Sequence, residues 1–299
     1  MAVPTTTRSI IHDRYHHHDD HQQYDRQLQV CFITAQFSTS NNNTDRLFDV
    51  QQKVPGLDSS PFYKFFVFTN LQDLKVPGPR RGRGDGWQII LKQDLSTKYK
   101  RFITQSRWPK FQAFEEPIVQ DQCQVVFYID GIIIPQNDPQ LFQREAHKIF
   151  YDKSEIQFAQ RIHPDANNTK GRKGSGSGGG AEGEFVRIRR HRKDTTENIK
   201  ASIRWLQDQP DYNKNCTLYE NSMFGYAVNS QRFQLAANYF WTIYSKETMS
   251  WRDQPLWCYV LDHFDLKPLP LVDNGLGRLF RKDIKLMARK GAHRYVDKK

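Results

Sequence analysis

Residues 125–130, VVFYID, are a run of β-branched and aromatic positions without helical spacing, broken only by the carboxylate of Asp130 and followed by Gly131 and three isoleucines. Such a run predicts a strand buried on both faces, the kind found in sheets covered by helices. Residues 28–37 (LQVCFITAQF), 62–70 (FYKFFVFTN) and 87–95 (WQIILKQDL) carry the same kind of pattern and predict three further strands. The first runs into the polar loop STSNNNTD, and a short helix over 45–54 is closed off by Pro55 and Gly56. Short helical or loop segments between the strands imply a mostly parallel sheet. Helices follow at 138–150, with Asp138 as N-cap and Pro139 at its first position, and at 194–209. In the second, Asp194 or Thr195 caps, Glu197 completes a capping box, and Ile199, Ile203 and Leu206 form the apolar stripe. Residues 232–247 and 255–264 are aromatic-rich and read as core helices.

Two kinds of segment depart from this pattern. Residues 1–26 are rich in His, Asp and Gln and read as a disordered leader, whose clustered histidines and neighbouring Asp residues could bind a metal weakly but read more simply as a solvated run. Residues 165–184 are dominated by Gly and Ser and read as a flexible excursion that interrupts one domain, residues 27–274, instead of separating two. The tail, 275–299, is basic, with helical spacing around 279–286, and reads as a surface appendage.

Net charge changes the picture only until it is located. The chain carries +11, but residues 161–204 hold 11 Lys/Arg against 5 Asp/Glu and residues 275–299 hold 9 against 2, so the remaining body is near neutral. A nucleic-acid binder would spread basic residues over a folded face among stacking aromatics, so no specific nucleic-acid partner is expected. No apolar run is long enough to span a membrane, and no signal is visible near Met1. Cys31, Cys123, Cys216 and Cys258 form no CxxC pair; their number permits two disulfides without requiring them, and the redox compartment stays open. Sequons stand at Asn42, Asn167 and Asn215, a number that an Asn-rich chain reaches by chance.

The candidate chemistry lies where polar residues interrupt apolar elements. Asp130 ends a central strand, where open α/β sheets bind ligands, and Gly131 lets a ligand approach the backbone; the plainer reading of a lone strand-end Asp is a turn cap. No GxGxxG follows the first strand, which disfavours a dinucleotide fold. Residues 97–116 hold Lys98, Lys100, Arg101, Arg107 and Lys110, suited to diphosphate oxygens or, more simply, to a solvated helix face. Glu220 and Asn221 open one apolar stretch, and Arg252, Asp253 and Gln254 precede another, where Asp253 reads equally as an N-cap.

Taken in order, SRWPKF with Arg107 and Lys110, VVFYIDG, ENSMFGY at 220–226 and SWRDQPLWCYVL at 250–261 resemble the glycosyltransferase-like domain of the plant turgor-regulation and mucilage-related hexosyltransferase family. The resemblance covers residues 28–272, and RDQ before an apolar helix is its most specific piece. It implies a single GT-A-like, Rossmann-type α/β domain that transfers a hexose from a UDP- or GDP-sugar to a glycan or glycoconjugate acceptor in polysaccharide biosynthesis. Arg107, Lys110, Asp130, Gly131, Asn221, Arg252 and Gln254 would then bind the donor. Asp253 would be the candidate base and Glu220 a second catalytic residue touching donor or acceptor. Asp130 would also sit at the metal-binding position for Mn or Mg, although the strand ends Tyr128-Ile129-Asp130 without the Asp-x-Asp of many such enzymes. The family further implies the Golgi lumen or secretory pathway. The alternative is a catalytically inactive relative that binds a glycan or a partner through the same cleft.

Overall fold

Strand β1, Val30–Gln36, and the strands beside it form because their side chains are apolar at both parities, which only a sheet covered on both faces can accommodate. The computed structural model describes residues 26–38, 57–74, 76, 86–163, 180–271 and 279–282. Residues 1–25 of the leader, the helix expected over 45–54, residues 77–85 and most of the basic tail lie outside these residues.

After β1 come β2 (Tyr63–Thr69), β3 (Trp87–Leu91), α1 (Asp94–Lys98), α2 (Phe102–Gln112), α3 (Pro117–Gln122) and β4 (Val125–Ile129). They are followed by β5 (Ile133–Pro135), α4 (Pro139–Phe150), β6 (Phe158–Ile162), α5 (Gly180–Arg190), α6 (Thr196–Gln207) and β7 (Tyr219–Ala227). Helices α7 (Gln231–Tyr244) and α8 (Asp253–His263) and the short strands β8 (Leu269–Pro270) and β9 (Phe280–Lys282) complete the order. The main sheet runs β3-β2-β1-β4-β7-β6-β8. β1 is parallel to both β2 and β4, β2 to β3, and β6 to β8, whereas β7 runs antiparallel to β4 and β6. The fold is thus α/β with a mostly parallel mixed sheet flanked by helices. β7 and β8 follow the Gly/Ser segment yet join the sheet that β1–β4 begin.

Parity along the strands divides the core into two layers. Ile33, Phe66, Val126, Tyr128 and Phe224 face Phe111 of α2, Phe233 and Phe240 of α7 and Trp257 of α8. Phe32, Phe65, Phe127 and Ile129 face Phe142 and Ile149 of α4 and Phe280 of β9. Two disulfides, Cys31–Cys123 and Cys216–Cys258, tie β1 to the residue that ends α3, and the approach to β7 to α8.

Several expectations are corrected. The third strand stops at Leu91, and Asp94 starts a short helix, because alternation ends there. The Gly/Ser segment was expected to stay irregular to residue 184. Instead α5 begins at Gly180, since Ala181, Phe185 and Ile188 supply a helical stripe to the core. Gly180 has φ +73°, and a Cβ there would lie 2.2 Å from the Lys214 carbonyl oxygen, so glycine is required at this join. Of the two caps expected for α6, Thr195 serves, its hydroxyl accepting from the Asn198 amide at 3.2 Å, and what is corrected is the capping box, since Glu197 then lies outside its position. The helix expected around 279–286 is replaced at its start by β9, which pairs antiparallel with β5 and buries Leu279 and Phe280. By contrast Asp138 caps α4 as expected, accepting from the Leu141 amide at 2.9 Å.

Candidate functional site at the carboxyl edge of the parallel strands

Reading outward from β4, the strand order reverses between β1 and β4, the place where open α/β sheets leave a crevice for ligands. Asp130 stands at this edge. Its amide donates to the Ser222 carbonyl at 2.8 Å and its carbonyl accepts from the Ile133 amide at 2.7 Å, so Gly131 lies inside a tight turn. Because β7 is reversed, its beginning rather than its end meets this edge, and Glu220, Asn221 and Ser222 arrive beside Asp130.

Helix α2 crosses the same edge and is anchored by Phe111, whose ring packs 4.3 Å from Phe240 and 5.0 Å from Trp257. That anchoring carries Arg107 and Lys110, one turn apart, into the site. The Lys110 ammonium lies 2.7 Å from Asp253 Oδ2 and 3.9 Å from Asp130 Oδ1, while Arg107 Nε is 3.3 Å from Asp253 Oδ2. The Tyr128 hydroxyl donates to Asp130 Oδ1 at 3.1 Å, and its ring lies 5.2 Å from the ammonium. The side chains of Lys110 and Asp253 are 2% and 4% exposed, against 29% for Asp130. Four residues, from α2, the turn after β4 and α8, therefore form one charge cluster whose open member is Asp130.

Asp253 is the first residue of α8, preceded by Arg252 at the cap position, and it makes no cap of its own. The N-cap role read for it is corrected: its carboxylate turns to the two cations, and at the helix N-terminus the macrodipole adds to their effect. Burial would push this carboxyl up, but Lys110, Arg107 and Arg252 outweigh it and hold the pKa at about 2. Burial works likewise against the charge of Arg107, and Asp253 and Asp130 reverse the effect, so its pKa is raised. Burial, followed by the charge of Asp130, raises the Tyr128 phenol.

The remaining predicted residues form a second layer. Glu220 Oε1 accepts from the Ser222 hydroxyl at 2.7 Å, and its Oε2 lies 3.4 Å from Arg161. Asn221 Oδ1 accepts from Gln160 Nε2 at 2.7 Å, and Gln160 Oε1 accepts from the Trp257 indole at 3.2 Å; Asn221 Nδ2 is buried without a partner among the described residues. Gln254 Nε2 donates to the Tyr219 carbonyl at 3.4 Å, joining α8 to the start of β7.

Sequence reasoning missed the residues that brace the loop carrying Arg252 and Asp253. Asp194 Oδ2 accepts from both the Ser250 hydroxyl and the Trp251 amide at 2.6 Å, and Ser202 accepts from the Ser250 amide at 2.7 Å. From the other side, Arg101 donates to the carbonyls of Met249 and Lys246 at 2.9 and 3.0 Å. The helix start at 194–195 hides the role of Asp194, because its partners are more than 50 residues away.

Among the described residues, no group of three or more His, Cys, Asp or Glu side chains converges as a metal site, and no helix is long and apolar enough to cross a membrane. No protein-family model matches this chain, and no curated protein matches it.

Proposed function

We propose that this protein is a glycosyltransferase that moves a hexose from a nucleotide sugar to a glycan or glycoconjugate acceptor. The observation that carries the reading is the convergence of Asp130, Lys110, Arg107 and Asp253 at the carboxyl edge of β4, beside the reversal of strand order. Departure of a nucleoside diphosphate builds negative charge on its oxygen, and a preorganised cation pair stabilises that charge without reorganising. Asp253 serves this scheme as the fixed anion that aims Lys110 and Arg107. Its two cations hold its pKa low and its side chain is 4% exposed, so we assign it this role in place of the candidate base read from the sequence. Glu220, Asn221 and Gln254 set the wall where the reversed β7 meets α8, and Arg252 stands at the head of that helix.

Asp130 also fits the part of a single carboxylate ligand to Mg or Mn, since it is the open acid of the cluster and such ions take one or two carboxylates plus substrate phosphates. A bound ion there would neutralise diphosphate charge. An oxidising secretory compartment, such as the Golgi lumen, agrees with the pairing of all four cysteines.

Thermal stability measured against a panel of UDP- and GDP-sugars, with and without manganese, tests the reading. A donor at 100 times its Kd raises stability by about 2.7 kcal/mol, and Asp130→Asn is expected to remove most of that gain. Stabilisation without sugar release or transfer would favour the inactive binding relative. No stabilisation by any donor would overturn the nucleotide-sugar site.

A further inference from the structure

The tripeptide Asn215-Cys216-Thr217 is both an acceptor for N-linked glycosylation and one half of a disulfide. Asn215 and Thr217 are exposed in the turn that leads into β7, whereas Cys216 between them is 2% exposed and bonded to Cys258 of α8. The other sequons, at 42 and 167, lie outside the described residues. Among the described residues no cysteine is free, and buried disulfides at both ends of the sheet place the chain where secretory oxidation and N-glycosylation share a compartment.

We propose that Asn215 carries an N-linked glycan and that it is added before the Cys216–Cys258 bond closes. In the reaction, Asn215 Nδ2 attacks the anomeric carbon of a lipid-diphosphate-linked oligosaccharide. A carbon–nitrogen bond forms as the carbon–oxygen bond to the diphosphate breaks, the amide gives one proton to the transferase, and the lipid diphosphate leaves. The order follows from the geometry. The Cys216 amide donates to the Asn213 carbonyl at 3.0 Å, and the Asn215 amide to Asn213 Oδ1 at 3.0 Å. The Lys214 carbonyl oxygen fills the space where a side chain of residue 180 would begin, and Cys216 is pinned to α8. Once folded, this backbone has no freedom to enter a transferase groove, although the Asn215 side chain faces water. Cys258 follows Cys216 by 42 residues, which at about 5–20 residues per second leaves a window of roughly 2–8 s during synthesis. Glycan addition and disulfide closure therefore compete, and occupancy at Asn215 is partial.

The inference does not depend on the proposed transferase activity. It is tested on the full chain exported through the secretory pathway of a eukaryotic host, with thiols blocked at lysis and the peptide bearing Asn215 examined by mass spectrometry. Expected are a glycan-dependent conversion of Asn215 to Asp on amidase release, loss of that signal in Asn215→Gln and in Thr217→Ala, and higher occupancy in Cys258→Ser than in the unaltered chain. The occupancy readout is set before folding finishes, so instability of Cys258→Ser does not obscure it. An unmodified Asn215 in both the unaltered chain and Cys258→Ser overturns the site, and equal occupancy in the two overturns the competition.

Discussion

Lys110 and Asp253 are almost fully buried, so each charge needs an opposite charge beside it. Asp253→Asn leaves Lys110 and Arg107 with only the more exposed Asp130, 3.9 Å from the ammonium, and we expect it to destabilise the fold by about 3–5 kcal/mol. Lys110→Met should cost less, because Arg107 still meets the carboxylate; urea denaturation of both variants checks this ranking. The pH dependence has a definite sign. The folded pKa of Asp253, about 2, lies below the ordinary value of 3.8, so its stabilisation is complete above about pH 4 and is lost as pH falls through 2. Melting curves between pH 5 and 2 should show a fall of about 2 kcal/mol that Asp253→Asn lacks. An equal acid slope in that variant would mean that other carboxylates dominate acid unfolding.

At the scale of elements, the site depends on where β7 and the 246–252 loop are held. Gly225 lets β7 cross against Phe127 and Ile149: an added Cβ would lie 2.8 Å from both side chains. Gly225→Ala is therefore expected to lower stability by about 1–3 kcal/mol, measured by thermal melting, and a neutral result would show that this layer repacks freely. Asp194 braces the loop that delivers Asp253, whereas its neighbour Thr195 only caps α6. Asp194→Ala should cost about 1–3 kcal/mol and weaken donor binding as well. Thr195→Ala should cost about 1 kcal/mol and leave donor affinity unchanged, so comparing the two separates loop bracing from helix stability.

Across the whole molecule, the disulfides close loops of 92 and 42 residues, and on a chain-entropy estimate each stabilises by about 4–5 kcal/mol. Cys31–Cys123 encloses β2, β3 and the basic helix α2, so reduction should loosen the half of the sheet that presents Arg107 and Lys110. A melting temperature that falls markedly in reductant, with donor-induced stabilisation falling alongside it, is the expected outcome. An unchanged melting temperature would show that packing alone holds the two halves together.

The strands β1, β2 and β4 were legible in the sequence because burial on both faces leaves a continuous apolar run, and helix α4 because its cap and its spacing are local properties. So were the candidate site residues as polar interruptions, since a charge inside an apolar element is conspicuous wherever it falls. What the tertiary structure decided was which of them meet. The reversal of β7 brings Glu220 and Asn221 to the end of the sheet where Asp130 stands, and the bracing by Asp194 aims Asp253 at Lys110. Neither depends on neighbours in the chain: strand direction is set by pairing across the sheet, and a carboxylate becomes an ion-pair anchor only when two cations from a distant helix are buried against it.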